Sequence, residues 1–335
     1  ICKTAGDPAS CAGSPALKER IALPDMHAVL TAGRAPYRLG LRRSWRERVA
    51  SYGLLAPATV LFAIFMFYPL LYTLYLSFFD WNMTRPTKEF VGLDNYISVF
   101  TDPAFGKIMG NTGLYILLLL VFDFAAPYVF SFILSFVVKK GKNFYKSAIF
   151  LPSVISLVVG TMIFVWILNP ISGPVATVAK ALGLTVPIWS NTQGLVIVVL
   201  SIMTSWKIFG YNFIVVMAGV SSVPMEVVEA ARLDNIPTWR IFLNIVVPMS
   251  SSTGIYVLIL SIVTGMQQIF TPINMVTKGG PDNASTNLIY AVYDQAFGFF
   301  KTGTASAYAI LMMLLFGFLL FLEFKFVEKS VYYEN

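Results

Sequence analysis

Two ionisable side chains, Asp123 and Lys207, stand inside runs of sequence that are otherwise apolar. Charge in such a setting is costly and is retained where it pairs or faces water. At about 1.5 Å of rise per residue, both would lie roughly 15–18 Å from the ends of their runs. They can form an ion pair, or they can line a hydrated path. Near Lys207 stand Trp206, Tyr211 and Asn212, and a later run carries the adjacent amides Gln267 and Gln268. Amides beside aromatic faces can hold the hydroxyl groups of a sugar. Each can equally serve as an interhelical hydrogen bond, worth about 0.6–2 kcal/mol in a membrane, or as packing. Only one of the two glutamines can point directly into a path, because neighbouring helical positions are about 100° apart.

Other chemistries find little support. The single histidine, His27, has no second histidine to join, and the only cysteines, Cys2 and Cys11, lie near the start of the chain. No metal site, disulfide framework or nucleophile–base set is expected. The sequence has no GxxxxGK[ST] phosphate loop, so the chain is not expected to hydrolyse ATP itself.

The elements that must position these residues are membrane spans. Of 335 residues, 57% are hydrophobic and 12% are charged. A soluble domain carries about 25% charged residues, so this chain has too little polar surface to cover itself in water. A bilayer core needs about 20 apolar residues in a helix. Six runs meet that: Leu54–Phe79, Gly113–Val138, Ala148–Leu168, Leu195–Val220, Ser250–Phe270 and Ala305–Leu322. Pro57, Pro127 and Pro152 fall inside three of them, and kinks are expected there. Lys and Arg concentrate in alternate connections: Lys139, Lys140, Lys142 and Lys146, then Arg232 and Arg240, then Lys325 and Lys329, with nine more in residues 1–50. The other connections are longer and hold Arg85, Lys88, Lys107, Lys180, Lys278 and Lys301. By the positive-inside rule both termini are cytoplasmic. The net charge of +7 therefore reads as basic cytoplasmic loops, not as a nucleic-acid surface. Residues 1–49 are expected to be a basic, partly disordered tail, 50–330 the spanning domain, and 331–335 a short cytoplasmic tail. An amphipathic stretch should follow Phe90–Tyr96. The aromatic stretch from Ile289 to Phe300 fits either a surface-lying or re-entrant helix or a plain cap on the span ends.

The most specific segment joins the fourth and fifth runs. Pro224 suits a first helical turn, with Glu226 close behind at the positive end of the helix dipole. The short amphipathic helix through Leu233 would end at Asp234 and Asn235, which can take the left-handed conformation, and Pro237 can open a second helix. Ala230 and Ala231 give it a low-profile face beside Glu229. A helix–turn–helix of this kind on the cytoplasmic side is a docking knob.

Pro224, Glu226, Glu229-Ala230-Ala231, Leu233-Asp234, Trp239, Phe242 and Pro248 together resemble the EAA loop of bacterial ABC importer permeases. Asn235 stands where that family usually has glycine. Phe90-Val91-Gly92-Leu93-Asp94-Asn95-Tyr96, Phe150-Leu151-Pro152 and Thr277-Lys278-Gly279-Gly280-Pro281 are similar to the carbohydrate-uptake branch, and the likeness spans residues 50–330. It implies an all-α, six-span type I importer permease in the bacterial inner membrane, without cofactor of its own. The implied partners are a second permease, two cytoplasmic ATPases holding ATP and Mg, an extracytoplasmic sugar-binding protein and the surrounding lipid. Alternating access around a midplane site is the implied mechanism. A secondary transporter or channel is the alternative, but no internal repeat or set of membrane carboxylates supports it. An importer of a non-sugar solute is the other.

Overall fold

The computed structural model describes residues 45–327, and side chains from Tyr52 to Lys325. His27, the two cysteines and the 331–335 tail lie outside the described residues. A first unit, ending at Ala63, contributes helix α1 (Trp45–Phe62). The tail boundary expected after residue 49 thus falls within a helix. The second unit holds α2 (Tyr68–Leu76), a two-residue hairpin of β1 (Phe79–Asp80) and β2 (Glu89–Phe90), α3 (Asp94–Thr101) and α4 (Pro103–Val137). Then come α5 (Lys142–Val154), α6 (Leu157–Ile167), α7 (Pro174–Ala181), α8 (Leu195–Ser221), α9 (Met225–Leu233) and α10 (Thr238–Met249). The last are α11 (Ser251–Thr277), α12 (Leu288–Tyr293) and α13 (Thr302–Val327).

Five helices are long and apolar enough to cross a membrane, covering Tyr52–Leu76, α4, α8, α11 and residues Thr302–Lys325 of α13. The expected third span differs from its sequence reading. It is a broken pair, α5 and α6, bent by 99°. The break falls at Ile155 and Ser156, whose backbones are extended, three residues beyond the kink expected at Pro152. Counting the pair as one crossing gives six spans.

Helix α8 lies at the centre, packed by α4, α5 and α11. Tyr115 and Leu119 of α4, Leu200 and Met203 of α8, and Met266 and Ile269 of α11 form one buried cluster. Small residues let these helices approach closely. At Gly210 of α8, a Cβ would stand 2.6 Å from the Ile149 carbonyl and 3.0 Å from the Phe150 Cα of α5.

Pro127 shapes the middle of α4. Lacking an N–H, it cannot bond the carbonyl four residues back, which belongs to Asp123. The helix answers with a wide turn over Val121–Ala125. Asn212 Nδ2 on α8 and Ser261 Oγ on α11 donate to the Asp123 carbonyl at 2.7 and 2.9 Å. Neighbouring helices thus supply the missing donor, which a bilayer cannot.

One end of the second unit is capped by its loops. Asn95 of α3 donates to the carbonyls of Ser77 and Phe79 at 2.9 and 3.0 Å. Asn111 of α4 donates to the Asn283 and Thr286 carbonyls at 2.8 and 3.0 Å, and Tyr115 to Ser285 at 3.0 Å. The aromatic stretch enters as α12, with Leu288, Tyr290 and Ala291 buried. It therefore caps the spans, and Phe297, Phe299 and Phe300 remain exposed at its far end.

Candidate functional site

A cavity of about 300 Å³ opens beside the break between α5 and α6. Helix α8 contributes Lys207, Ile208, Tyr211 and Asn212, spaced so that all four share one face. Helix α11 contributes Leu260, Thr264 and Gln268, three residues spaced by two steps of four. Phe150, Ser153 and Val154 close it from α5. Aromatic rings, hydroxyls, amides and one ammonium thus converge on a single space.

Four of the seven residues singled out from sequence line this space: Lys207, Tyr211, Asn212 and Gln268. The other three do not. Trp206 packs its ring against Gly160 and lies edge-on to Phe164 with centroids 5.5 Å apart, so it is a packing residue of the α6–α8 contact. Gln267 is exposed and, turned about 100° from Gln268, does not line the cavity. Asp123 is fully enclosed in the protein. Ser153 and Thr264 were not anticipated; Thr264 could have been found by stepping back four residues from Gln268.

The ion pair between Asp123 and Lys207 does not form. Lys207 Nζ donates to the carbonyls of Ile155 and Ser153 at 2.7 and 3.3 Å. It thereby caps the end of α5, where the break leaves carbonyls without helical donors. Neither carboxylate oxygen of Asp123 has a hydrogen-bond partner of sound geometry, and the buried hydroxyl of Ser205 beside it also lacks one. Among the described residues the ion pairs are Arg85–Asp80 and Lys107–Asp282, the latter at 3.0 Å and tying α4 to the capping loop. Asn212 spends its Nδ2 on the Asp123 carbonyl and on Ser261 Oγ, at 2.7 and 3.0 Å, which leaves its Oδ1 for the cavity.

At the opposite end from the cap, the segment after α8 forms the expected pair of short helices. Pro224 is the residue before α9 rather than its first turn. Asn235 has φ +57°, the left-handed conformation that reverses the chain, and Pro237 precedes α10. Val228 and Ala231 are buried against the body of the protein, while Glu226, Glu229, Ala230 and Asp234 face outward. Ala231 therefore belongs to the anchoring side, and the low-profile exposed face rests on Ala230 alone. Arg232 donates to the Phe136 carbonyl of α4 at 2.8 Å, fixing the helix to the body. Leu233 and Trp239 remain 83% and 59% exposed. Exposed apolar side chains thus stand at the end of α9 and the start of α10, beside the small exposed Ala230.

Residues 128–332 match the family described as the binding-protein-dependent transport system inner membrane component. The chain belongs to this family. The matched stretch includes the broken pair, the cavity-lining helices and the exposed α9. A probable ABC transporter permease protein, YurN of Bacillus subtilis, is 30% identical over 288 residues, covering 85% of this chain and 98% of that one. The sn-glycerol-3-phosphate transport system permease protein UgpA of Agrobacterium fabrum is 29% identical over 288 residues, covering 86% and 97%. Among solved structures, a bacterial ABC transporter involved in the import of the acidic polysaccharide alginate superposes with a TM-score of 0.69 at 20% identity. It covers 85% of this chain and 96% of that one, and shows the shared fold. The protein is a membrane permease component of a binding-protein-dependent ABC importer, of the type I fold.

Proposed function

We propose that this permease moves a carbohydrate, delivered by an extracytoplasmic binding protein, through the cavity beside the α5–α6 break. The observation that carries the reading is the lining itself. Tyr211, Gln268, Thr264 and the free Oδ1 of Asn212 offer donors and acceptors, and Phe150 offers an aromatic face. That is the chemistry a polyhydroxylated solute needs. Two relatives agree in kind: UgpA is named for sn-glycerol-3-phosphate, and the solved importer for alginate.

The chain acts with a second permease, a homologous but distinct chain that completes the path, and with two ATPases that hold ATP and Mg.

 
Its own part in the ATP cycle is mechanical. Helix α9 seats Glu229, Ala230 and Leu233 in a groove of an ATPase on the cytoplasmic side, and nucleotide-driven closure moves α9 and the spans behind it. Pro224, Glu226, Asp234 and Asn235 set the start and end of that helix, and both termini lie in the cytoplasm.

The test is Glu229→Lys in the complete transporter, reconstituted with its binding protein. A cation placed where the partner is arranged for an anion costs several kcal/mol at a desolvated contact. We expect normal insertion, with sugar-stimulated ATP hydrolysis lowered more than about tenfold, the equivalent of 1.4 kcal/mol or more. Wild-type stimulation, ATPase attachment and uptake in the variant would refute the docking role of α9.

A further inference from the structure

The end of the protein that carries α9 holds a second cavity, of about 350 Å³, between α4, α5 and the turn from α8 into α9. Ser135, Lys142, Lys146, Ser221, Ser222 and Met225 are among its walls, and no carboxylate lines it. Lys142 is held in place by donating to the Ser135 carbonyl at 2.8 Å, and the Ser135 and Ser221 hydroxyls lie 3.4 Å apart. Lys146 makes no hydrogen bond or ion pair among the described residues. Two ammonium groups and a set of hydroxyls therefore share a space with no anion to balance them. Such a set suits a phosphate group, which accepts several charge-assisted hydrogen bonds.

Position separates the sources of phosphate. The cavity lies where the spanning helices α4 and α8 end, at Val137 and Ser221, which is the level of lipid headgroups. An adjoining groove of about 240 Å³ shares Lys146 with it and continues along Ser147, Phe150 and Ile214. It runs from the lysine towards the apolar part of α5 and α8. A free phosphate has no use for that groove, whereas a phospholipid has an acyl chain to lay in it.

We propose that this cavity binds the phosphate of an anionic phospholipid, with an acyl chain in the groove beyond Lys146. The lipid touches Met225, the first residue of α9, and so braces the docking helix from the membrane side. The phosphate end of the site does not rest on the carbohydrate reading and needs only that the helices span a bilayer; Phe150 is shared between the far end of the groove and the carbohydrate cavity.

The experiment uses the complete transporter in nanodiscs of phosphatidylcholine doped with phosphatidylglycerol, with retained lipid counted by native mass spectrometry. Wild type should retain phosphatidylglycerol over phosphatidylcholine. Lys146→Gln should lower that preference about fivefold, the effect of one cation near an anionic headgroup, and Lys146→Arg should keep it. Because Lys146 bonds nothing, its loss should leave the thermal midpoint unchanged. Lys142→Gln added to it should lower retention further, and Lys139→Gln/Lys140→Gln, outside the cavity walls, should change it less than about twofold. Equal retention in Lys146→Gln, or an equal loss in the Lys139/Lys140 control, would overturn the site. A third arm adds millimolar inorganic phosphate. Failure to displace the lipid supports the proposal, and displacement would make this a free-anion site and overturn the lipid assignment.

Discussion

Asp123 illustrates how one residue's missing hydrogen arranges the polar groups around it. Pro127 releases the Asp123 carbonyl, and Asn212 and Ser261 are spent on satisfying it. Lys207 is spent in the same way on the carbonyls at the end of α5. The two charged side chains thus serve different helices, and their stabilities should respond separately. Lys207→Met leaves two carbonyls without a donor, at a cost of about 1–3 kcal/mol each where water cannot reach them. Asp123→Asn removes a buried carboxylate that makes no ion pair, so stability should hold or rise. The double variant should equal the sum within about 0.5 kcal/mol. Thermal unfolding of the purified complex in one detergent gives all four corners of that cycle. Recovery of stability in the double variant would mean that the two ions do pair. Sequence placed both charges deep in their runs, because depth is counted along the chain. It left their pairing open, because the direction each faces depends on how α4 and α8 rotate when they pack.

The elements were legible wherever an apolar run was long and uninterrupted, as in α8, whose start at Leu195 agrees with the run read from sequence. The break in α5–α6 was not legible at its true place. Ile155 and Ser156 carry no glycine or proline, and apolar residues continue on both sides. What permits the break is remote: the Lys207 ammonium, supplied 52 residues later, satisfies the Ile155 carbonyl that a continuous helix would have used. The broken pair is held on the other side by close approach to α8 at Gly210. Gly210→Val should therefore part the two helices, at a cost of about 1–3 kcal/mol from overpacking against backbone that cannot yield. Gly110 of α4 is the matched control, since a Cβ there meets nothing within 4 Å. Gly110→Ala should gain up to about 1 kcal/mol in helix propensity. The two thermal midpoints should move in opposite directions, and a Gly210→Val midpoint equal to wild type would show that α5 is not held there.

At the scale of the whole molecule the distribution of charge predicts which end faces the cytoplasm. The end bearing α9 gathers Lys139, Lys140, Lys142, Lys146, Arg232 and Arg240 into short connections, and Lys325 falls near the end of the last span. The capped end carries longer loops whose cations are partly neutralised, as Arg85 is by Asp80 and Lys107 by Asp282. Uncompensated cations in short loops fix orientation during insertion, so the charge pattern predicts α9 on the inside. The proposed function asks for the same arrangement, since a helix proposed to dock an ATPase must lie where ATP is. Both arguments meet in one labelling experiment. With Cys2 and Cys11 replaced by serine, single cysteines at the exposed positions Thr87 and Thr185 should react with a membrane-impermeant maleimide in intact cells. Cysteines at the equally exposed Asn143 and Asp234 should react only after permeabilisation. Labelling of Asn143→Cys and Asp234→Cys from outside, with Thr87→Cys and Thr185→Cys protected, would invert the protein, put α9 out of reach of any cytoplasmic ATPase, and remove the docking role assigned to Glu229.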